Sequence, residues 1–528
     1  MKFIKGRIIV FMAIVFFIII AFCSEGNILI NEVGNESIFN NSRESSELSE
    51  LKNLEDPSVG LKLSGLKMKD KATDKSNIID VTDFGVVGDG VANDTPHIQA
   101  ALDYCESLGG GKVIFPANKV LRISKAGYRS IWTWNTKIKY KRAYALLIPS
   151  NTVIDFNGCT LLADKSNNDT INIIENKNAS IDLQKDNNIE IRNVILNQNV
   201  NIDKFNGNDL DSCAACLQNV DGLVLDNVEI LNSYSYGLRI IKAINVELKN
   251  KVHIKNCIGC NMRIGWDIFT VEHVFINQLI CENSSNRLYN KEHRYTPGNT
   301  LYINSGINIY FGEYKQLTND PKAYVGSVNI SNNAENIYFN NILSYDTGFK
   351  IQDYTTDGKG QPTNININNL ITEGIKSTPI FYLMGDKVKI RKMSCKNLGA
   401  FWVNNGKYTE LGYVYLDNCF FVVKGALPKK LLVYNLNMLN SHAAFQANGG
   451  SDTVFINQAN VKWDTGVYKD SYLKLLDIQC EFMKINTITY KLDGSFANGS
   501  QKGDVLSRSS SNKVLSVGHV INLNISNK

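Results

Sequence analysis

Three short apolar stretches carry a basic residue at the same place: Arg239 in YGLRII, Arg263 in CNMRIG and Lys350 in TGFKIQD. Side chains alternate across a strand, so where Leu238 and Ile240 point into a core, Arg239 points out of it. Arg239 and Arg263 are 24 residues apart, and strands repeated at such an interval stack their cations into a stripe along one face. A stripe of this kind suits a polymer that carries carboxylates. Tyr234 and Tyr236 stand beside it. A phenol or a basic side chain serves as a general base when burial or neighbours lower its pKa or charge. Removing the proton beside a uronate carboxyl needs such a base and a cation to hold the carboxylate. Elimination and epimerisation share that first step. The expected catalytic set is Arg239, Arg263, Lys350 and Tyr236, with Asp267 close by.

Hydrolysis asks for something else, an acid and a partner carboxylate about 5–5.5 or 6.5–9.5 Å apart. Asp209, Asp211, Asp267, Asp346 and Asp353 flank the same stretches, but they are scattered and each reads as a turn or cap residue. His273 follows a strand opening and reads as a surface residue. Two stretches interrupt the chain's rhythm, Arg122–Ala145 and Glu282 to about Ser327. The first carries Trp132, Trp134, Tyr140 and seven Lys or Arg residues; the second carries His293 within KEHRY, and Tyr310. Loops on a rigid scaffold often bind ligands. Trp132, Trp134, Tyr234, Asp211, Asp353 and His293 are therefore the expected substrate-binding residues. The competing reading is that these stretches only cover a sheet edge.

Eleven cysteines raise the question of metal or disulfides. Cys213/Cys216 and Cys257/Cys260 are both CxxC pairs, which taken alone suggest zinc. They lie 44 residues apart, about two coils of a structure whose strands rise about 4.8 Å each, so convergence on one ion is not expected. Cys281 and Cys395 recur at matching repeat positions, as core filling would require. No cofactor is expected, with calcium the one open alternative.

The elements that position these residues repeat. From residue 189 onward, two or three alternating apolar residues, mostly followed by an asparagine or another polar residue and a second apolar run, recur nine times, from IEIRNVIL to VFINQANV. Asn227 and Asn250 differ by 23, and Asn341 and Asn369 by 28. That interval is one coil of a parallel β-helix. Asparagine at each corner tolerates left-handed backbone and can ladder its amide to the next coil.

The stretch IIDVTDFGVVGDGVANDTPHIQAALD, followed by GGGKVIFP, precedes the repeats. Gly85, Gly88 and Gly90 free the backbone for turns. Asp94 is placed to cap a helix whose apolar face is Ile98, Ala101, Leu102 and Cys105. Val113–Phe115 then restart as a strand. In Asp83-Phe84-Gly85, Gly88-Asp89-Gly90, Asn93-Asp94-Thr95, Ile98-Gln99 and Phe115-Pro116 this stretch resembles the entry motif of the pectate-lyase-like superfamily, in the branch of rhamnogalacturonases, epimerase-like proteins and family-28-related glycosidases. Asn93 and Asn118 depart from the usual Asp and Gly. The resemblance implies an all-β, right-handed parallel β-helix whose open N-terminal end is plugged by the motif's helix. It also implies that the strand position of Arg239 lines a substrate groove. The Asn-Thr-Asp, Asp-Asp and Gly-His-Gly motifs of family-28 hydrolases are absent, and Arg239-Ile240-Ile241-Lys242 resembles their Arg-Ile-Lys only with an extra residue. Other proteins of this type bind polysaccharide without cutting it, so a surface adhesin is the alternative of a different class.

The 528 residues are too many for one ordinary core, but a solenoid grows by adding coils. With 44% hydrophobic and 20% charged residues the composition is that of a soluble globular protein. A formal charge of +5 leans toward acidic partners and does not imply nucleic acid. Lys2, Lys5 and Arg7 precede an apolar run from Ile8 to Phe22, the layout of an export signal. Residues 1–23 are expected to be a signal peptide or membrane anchor, 24–77 a polar linker, 78–440 the β-helix, and 441–528 final coils or a small β cap. The expected location is secreted or in the cell envelope, and the expected partner is an acidic, uronate-containing polysaccharide.

Overall fold

The structure is a computed structural model that describes residues 77–522, apart from 133–138, 165–170, 180–183, 201–211, 258, 267–268, 285–298, 318–326, 346–348, 353–359, 375–380, 384, 399, 404–406, 426–429, 448–452, 465–473, 480–481, 494–503 and 509–513. The expected signal and linker lie outside the described residues. Among the described residues no helix is long and apolar enough to cross a membrane.

Alternation builds the coils. Glu335–Tyr345 buries Ile337, Phe339, Ile342 and Leu343's neighbour Ser344, with two half-exposed residues, Asn340 and Asn341, interrupting the beat. The same skip occurs at Arg192–Asn193 and Asn368–Asn369. Each long strand is thus two short strands joined by a two-residue bend, and both halves turn their apolar side chains to one core. Stacked in parallel, these strands form a 19-stranded sheet. A 10-stranded sheet and then a 5-stranded sheet close the other side. The result is a right-handed parallel β-helix, the hand that parallel crossovers overwhelmingly take. Thr453–Asp464, Phe482–Asp493 and Val514–Asn522 continue the large sheet to the end of the described chain.

The core is a stack of aliphatic and aromatic ladders. Ile309 lies over Ile337 and Phe311 over Phe339, whose rings stack at 4.3 Å. Each such fully buried side chain contributes about 1.5–3 kcal/mol of apolar burial. Asparagine ladders run along the outside: Asn336 donates to Asn308 and Asn364 to Asn336, each 28 residues apart. Asn227, Asn256, Asn336 and Asn364 have positive φ, as expected for corners. Asn341 and Asn369 do not, although Asn369 donates to Asn341 at 2.8 Å. Left-handed backbone and amide laddering are therefore separable duties of this residue type.

The helix spans Thr95–Ser107 and buries Ile98, Ala101, Leu102 and Cys105 in the same core cluster as the first coils. Asp94 precedes it but does not cap it through its side chain. Its fully buried carboxylate instead accepts from Val87 N at 2.8 Å and from Gly88 N at 3.2 Å. The cap contact comes from Asn93, which accepts from Thr95 N at 3.2 Å. Asn118 takes φ +54°, the conformation a glycine would otherwise supply.

Of the two expected insertions, the first is a hairpin: Gly127–Trp132 pairs antiparallel with Lys139–Ile148 at the edge of the 10-stranded sheet. The second contains a regular coil. Asn299–Asn304 and Gly306–Leu317 pair in parallel with strands on both sides, and Tyr310 belongs to that coil.

Candidate functional site

Strand register in the 10-stranded sheet sets one column of residues. Glu175 pairs with Cys216, Cys216 with Arg239, and Arg239 with Arg263. Arg263 pairs with Tyr302, Tyr302 with Asn329, and Asn329 with Lys350. The three basic residues picked out by spacing thus share a column. Leu238 and Ile240 belong to the core cluster, so the column lies on the outer face.

Arg263 is the hub of the column's side-chain contacts. Its Nη1 donates to Tyr236 Oη at 3.1 Å and its Nε donates to Gly265 O at 3.3 Å. The guanidinium carbon sits 3.8 Å from the Trp266 ring centroid and 4.8 Å from that of Tyr302. Cation–π contact of this kind contributes about 0.5–2 kcal/mol. Burial opposes the charge, but the Tyr236 and Tyr302 oxygens outweigh it and hold the guanidinium above its ordinary pKa. Tyr302 Oη in turn accepts from Asn304 Nδ2 at 2.7 Å. Tyr236 and Tyr302 are half-buried, Arg263 is 7% exposed, and Arg239 is fully enclosed. The expected open stripe of cations is therefore narrower here: Arg239 supports the site from beneath, and the phenols of Tyr236 and Tyr302 edge it.

Beneath lies a buried charged cluster. Arg239 Nη2 donates to Cys216 Sγ at 3.1 Å, and the Gln218 amide oxygen accepts from the same Nη2 at 3.2 Å. Burial pushes thiols up, yet the hydrogen bond from Cys213 and the charges of Arg239 and Arg142 hold Cys216 well below the usual thiol range. Cys213 moves well above it, through burial and because its thiol serves Cys216. Glu175 receives Asn172 Nδ2 at 2.6 Å and lies 3.6 Å from Arg129 Nη1. The hairpin of the first insertion supplies Arg129 and Arg142, so this stretch covers the column's first strands.

Burial, then the charge on Cys216, push the Glu175 carboxyl up to about 7, against Asn172 and the two arginines. The sign of the consequence is fixed. A proton held more tightly in the folded state stabilises it at low pH, and that stability is lost as pH rises from about 4.5 to about 7. Urea midpoints should fall across that window for the native protein, and Glu175→Gln should flatten the fall. An equally steep profile in the variant would remove Glu175 from the cluster's charge balance.

The remaining expected residues are dispersed. Tyr234 is half-buried, and its backbone N–H donates to Gln198 Oε1 at 2.8 Å. His273 sits on the large sheet with φ +55°, away from the column. Lys350 is placed by its strand alone, as is Trp132. Trp134, Asp209, Asp211, Asp267, His293, Asp346 and Asp353 lie outside the described residues. Cys213 and Cys260 both pair with Tyr236, one on each side, so the two CxxC pairs are two coils apart. Among the described residues no three His, Cys, Asp or Glu side chains are grouped to hold a metal. Glu175, Cys216, Trp266 and Tyr302 were not expected. Glu175 was findable, because Ile174-Glu175-Asn176 in INIIEN sets one charge in an apolar strand much as Leu238-Arg239-Ile240 does.

No protein-family model matches the chain. Over 47 residues, 9% of this chain, it is 51% identical to mannuronan C5-epimerase AlgE4 of Azotobacter vinelandii, and that segment spans 8% of the relative's length. Among solved structures, the A-module of mannuronan C-5 epimerase AlgE6 from the same organism aligns with 85% of this chain and 100% of its own, at 15% identity and a TM-score of 0.37. The Streptococcus pneumoniae surface protein and adhesin PfbA aligns with 85% of this chain and 98% of its own, at 11% identity and a TM-score of 0.36. By its own strand pairing the chain is a right-handed parallel β-helix.

Proposed function

We propose that this protein modifies an acidic, uronate-containing polysaccharide lying along the Arg263 column, by removing the proton beside a uronate carboxyl. The hydrogen bond from Arg263 to Tyr236 Oη carries the reading. A phenol oxygen held by a guanidinium is a base next to the cation that would take the substrate carboxylate. Tyr236, as the phenolate, takes the proton and becomes the phenol, and Arg263 steadies the charge that develops on the carboxylate. If the bond to the leaving oxygen then breaks, the product is an unsaturated uronate. If a proton returns on the opposite face, the product is the epimer. A hydrolytic reading has less support, since the one carboxylate in the described column, Glu175, is fully buried. The apolar run and basic flank of residues 1–23 support an exported or envelope location.

Affinity electrophoresis through gels holding pectate or alginate, with and without calcium, tests the binding half of this proposal. The native protein should be retarded in one of them, and Arg263→Gln should lose most of the retardation. Equal mobility of the two proteins would contradict a carboxylate-binding role for Arg263.

A further inference from the structure

The outer face of the large sheet carries a trough of its own. Phe275 pairs with Tyr310 and Tyr310 with Tyr338, and all three point away from the core residues that flank them. Their rings stack with centroids 5.2 and 5.1 Å apart and planes within 8° of parallel. Beside this stack runs a trough of about 550 Å³, lined by Phe275, Tyr310, Asn277, Gln278, Glu313 and Lys251 among others. A second trough of about 560 Å³ shares Lys251 and continues along the bend of the sheet past Asn227 and Asn193.

We propose that this trough is a second carbohydrate site, distinct from the Arg263 column, for a neutral, hydroxyl-rich polysaccharide lying along the helix axis. The rim of the ring stack is an apolar rail for the C–H face of a sugar. Successive coils present it at a spacing close to the length of one hexopyranose unit, so each sugar meets the same surface as the last. Across the trough the amides of Asn277 and Gln278 can donate and accept, as paired sugar hydroxyls require. Gln278 Nε2 donates to Glu313, which orients that amide. Lys251 and Glu313 contribute one charge of each sign. That balance favours a neutral chain over a polyanion, in contrast to the two arginines of the column. Nothing in the argument depends on the chemistry at Tyr236.

The test is affinity electrophoresis of the full chain in gels containing galactomannan or hydroxyethyl cellulose, with a pectate gel run alongside. The native protein should be retarded in at least one neutral gel. Tyr310→Ala should weaken that retardation about tenfold, equivalent to about 1.4 kcal/mol. Asn277→Ala, at an exposed position that gives up one bond of 3.3 Å to Asn250 O, should weaken it several-fold. Behaviour in pectate should not change in either variant. Free migration of the native protein through every neutral gel would overturn the proposal, as would unchanged retardation of Asn277→Ala together with a folded Tyr310→Ala.

Discussion

Tyr236→Phe is expected to lower turnover on the responsive acidic polysaccharide by about 10²–10⁴-fold, the range that a positioned acid or base contributes, while KM stays within a few-fold. The substitution removes one oxygen and little else. The ring still lies 5.9 Å from the Arg263 guanidinium and 5.8 Å from that of Arg239, and Arg263 keeps its bond to Gly265 O. Losing the acceptor of the buried Arg263 guanidinium should cost about 1–3 kcal/mol of stability. Steady-state kinetics well below the variant's melting transition then report chemistry alone. Full turnover in that variant would transfer the base to another residue.

The second large effect is on stability. Arg239→Met should cost about 3–5 kcal/mol in urea unfolding, because removing one partner leaves a buried charge uncompensated. The group it faces is Cys216, 3.1 Å away and held below the usual thiol range by Cys213 and the charges of Arg239 and Arg142; both residues are fully enclosed. Adding Cys216→Ala to Arg239→Met should recover a substantial part of the loss, since the sulfur that faced the guanidinium leaves with it. A neutral Arg239→Met would mean that Cys216 is an ordinary thiol in the folded protein.

Much of the fold is legible in the sequence, because the period of two and the interval between asparagines are properties of the coil itself. Gly85, Gly88 and Gly90 all have the positive φ their spacing implies, and the helix buries the four residues of its apolar face. Asp94 shows where local rules stop. Its residue type favours a cap, but the folded loop offers it the amides of Val87 and Gly88. The coil at Gly306–Leu317 is hidden because Gly312 and Glu313 stand at the bend that Asn340-Asn341 and Asn368-Asn369 occupy in the next two coils. For the site, alternation tells which face Arg239 takes but not what covers that face. Trp266 reaches the column from a turn, and Arg142 from a hairpin more than 90 residues earlier. Neither arrangement leaves a periodic mark. The Tyr236–Arg263 bond spans 27 residues and rests on the register of adjacent coils.

The most direct test of the central claim is proton exchange in deuterated water with pectate, alginate and glycosaminoglycans as substrates. Product deuterium, ultraviolet absorbance and reducing ends are followed together for the native protein and Tyr236→Phe. The account predicts that one polymer gains deuterium beside its carboxyl, or gains an unsaturated end, and that Tyr236→Phe abolishes the change. Reducing ends that grow with neither signal, or binding with no product at all, would contradict it.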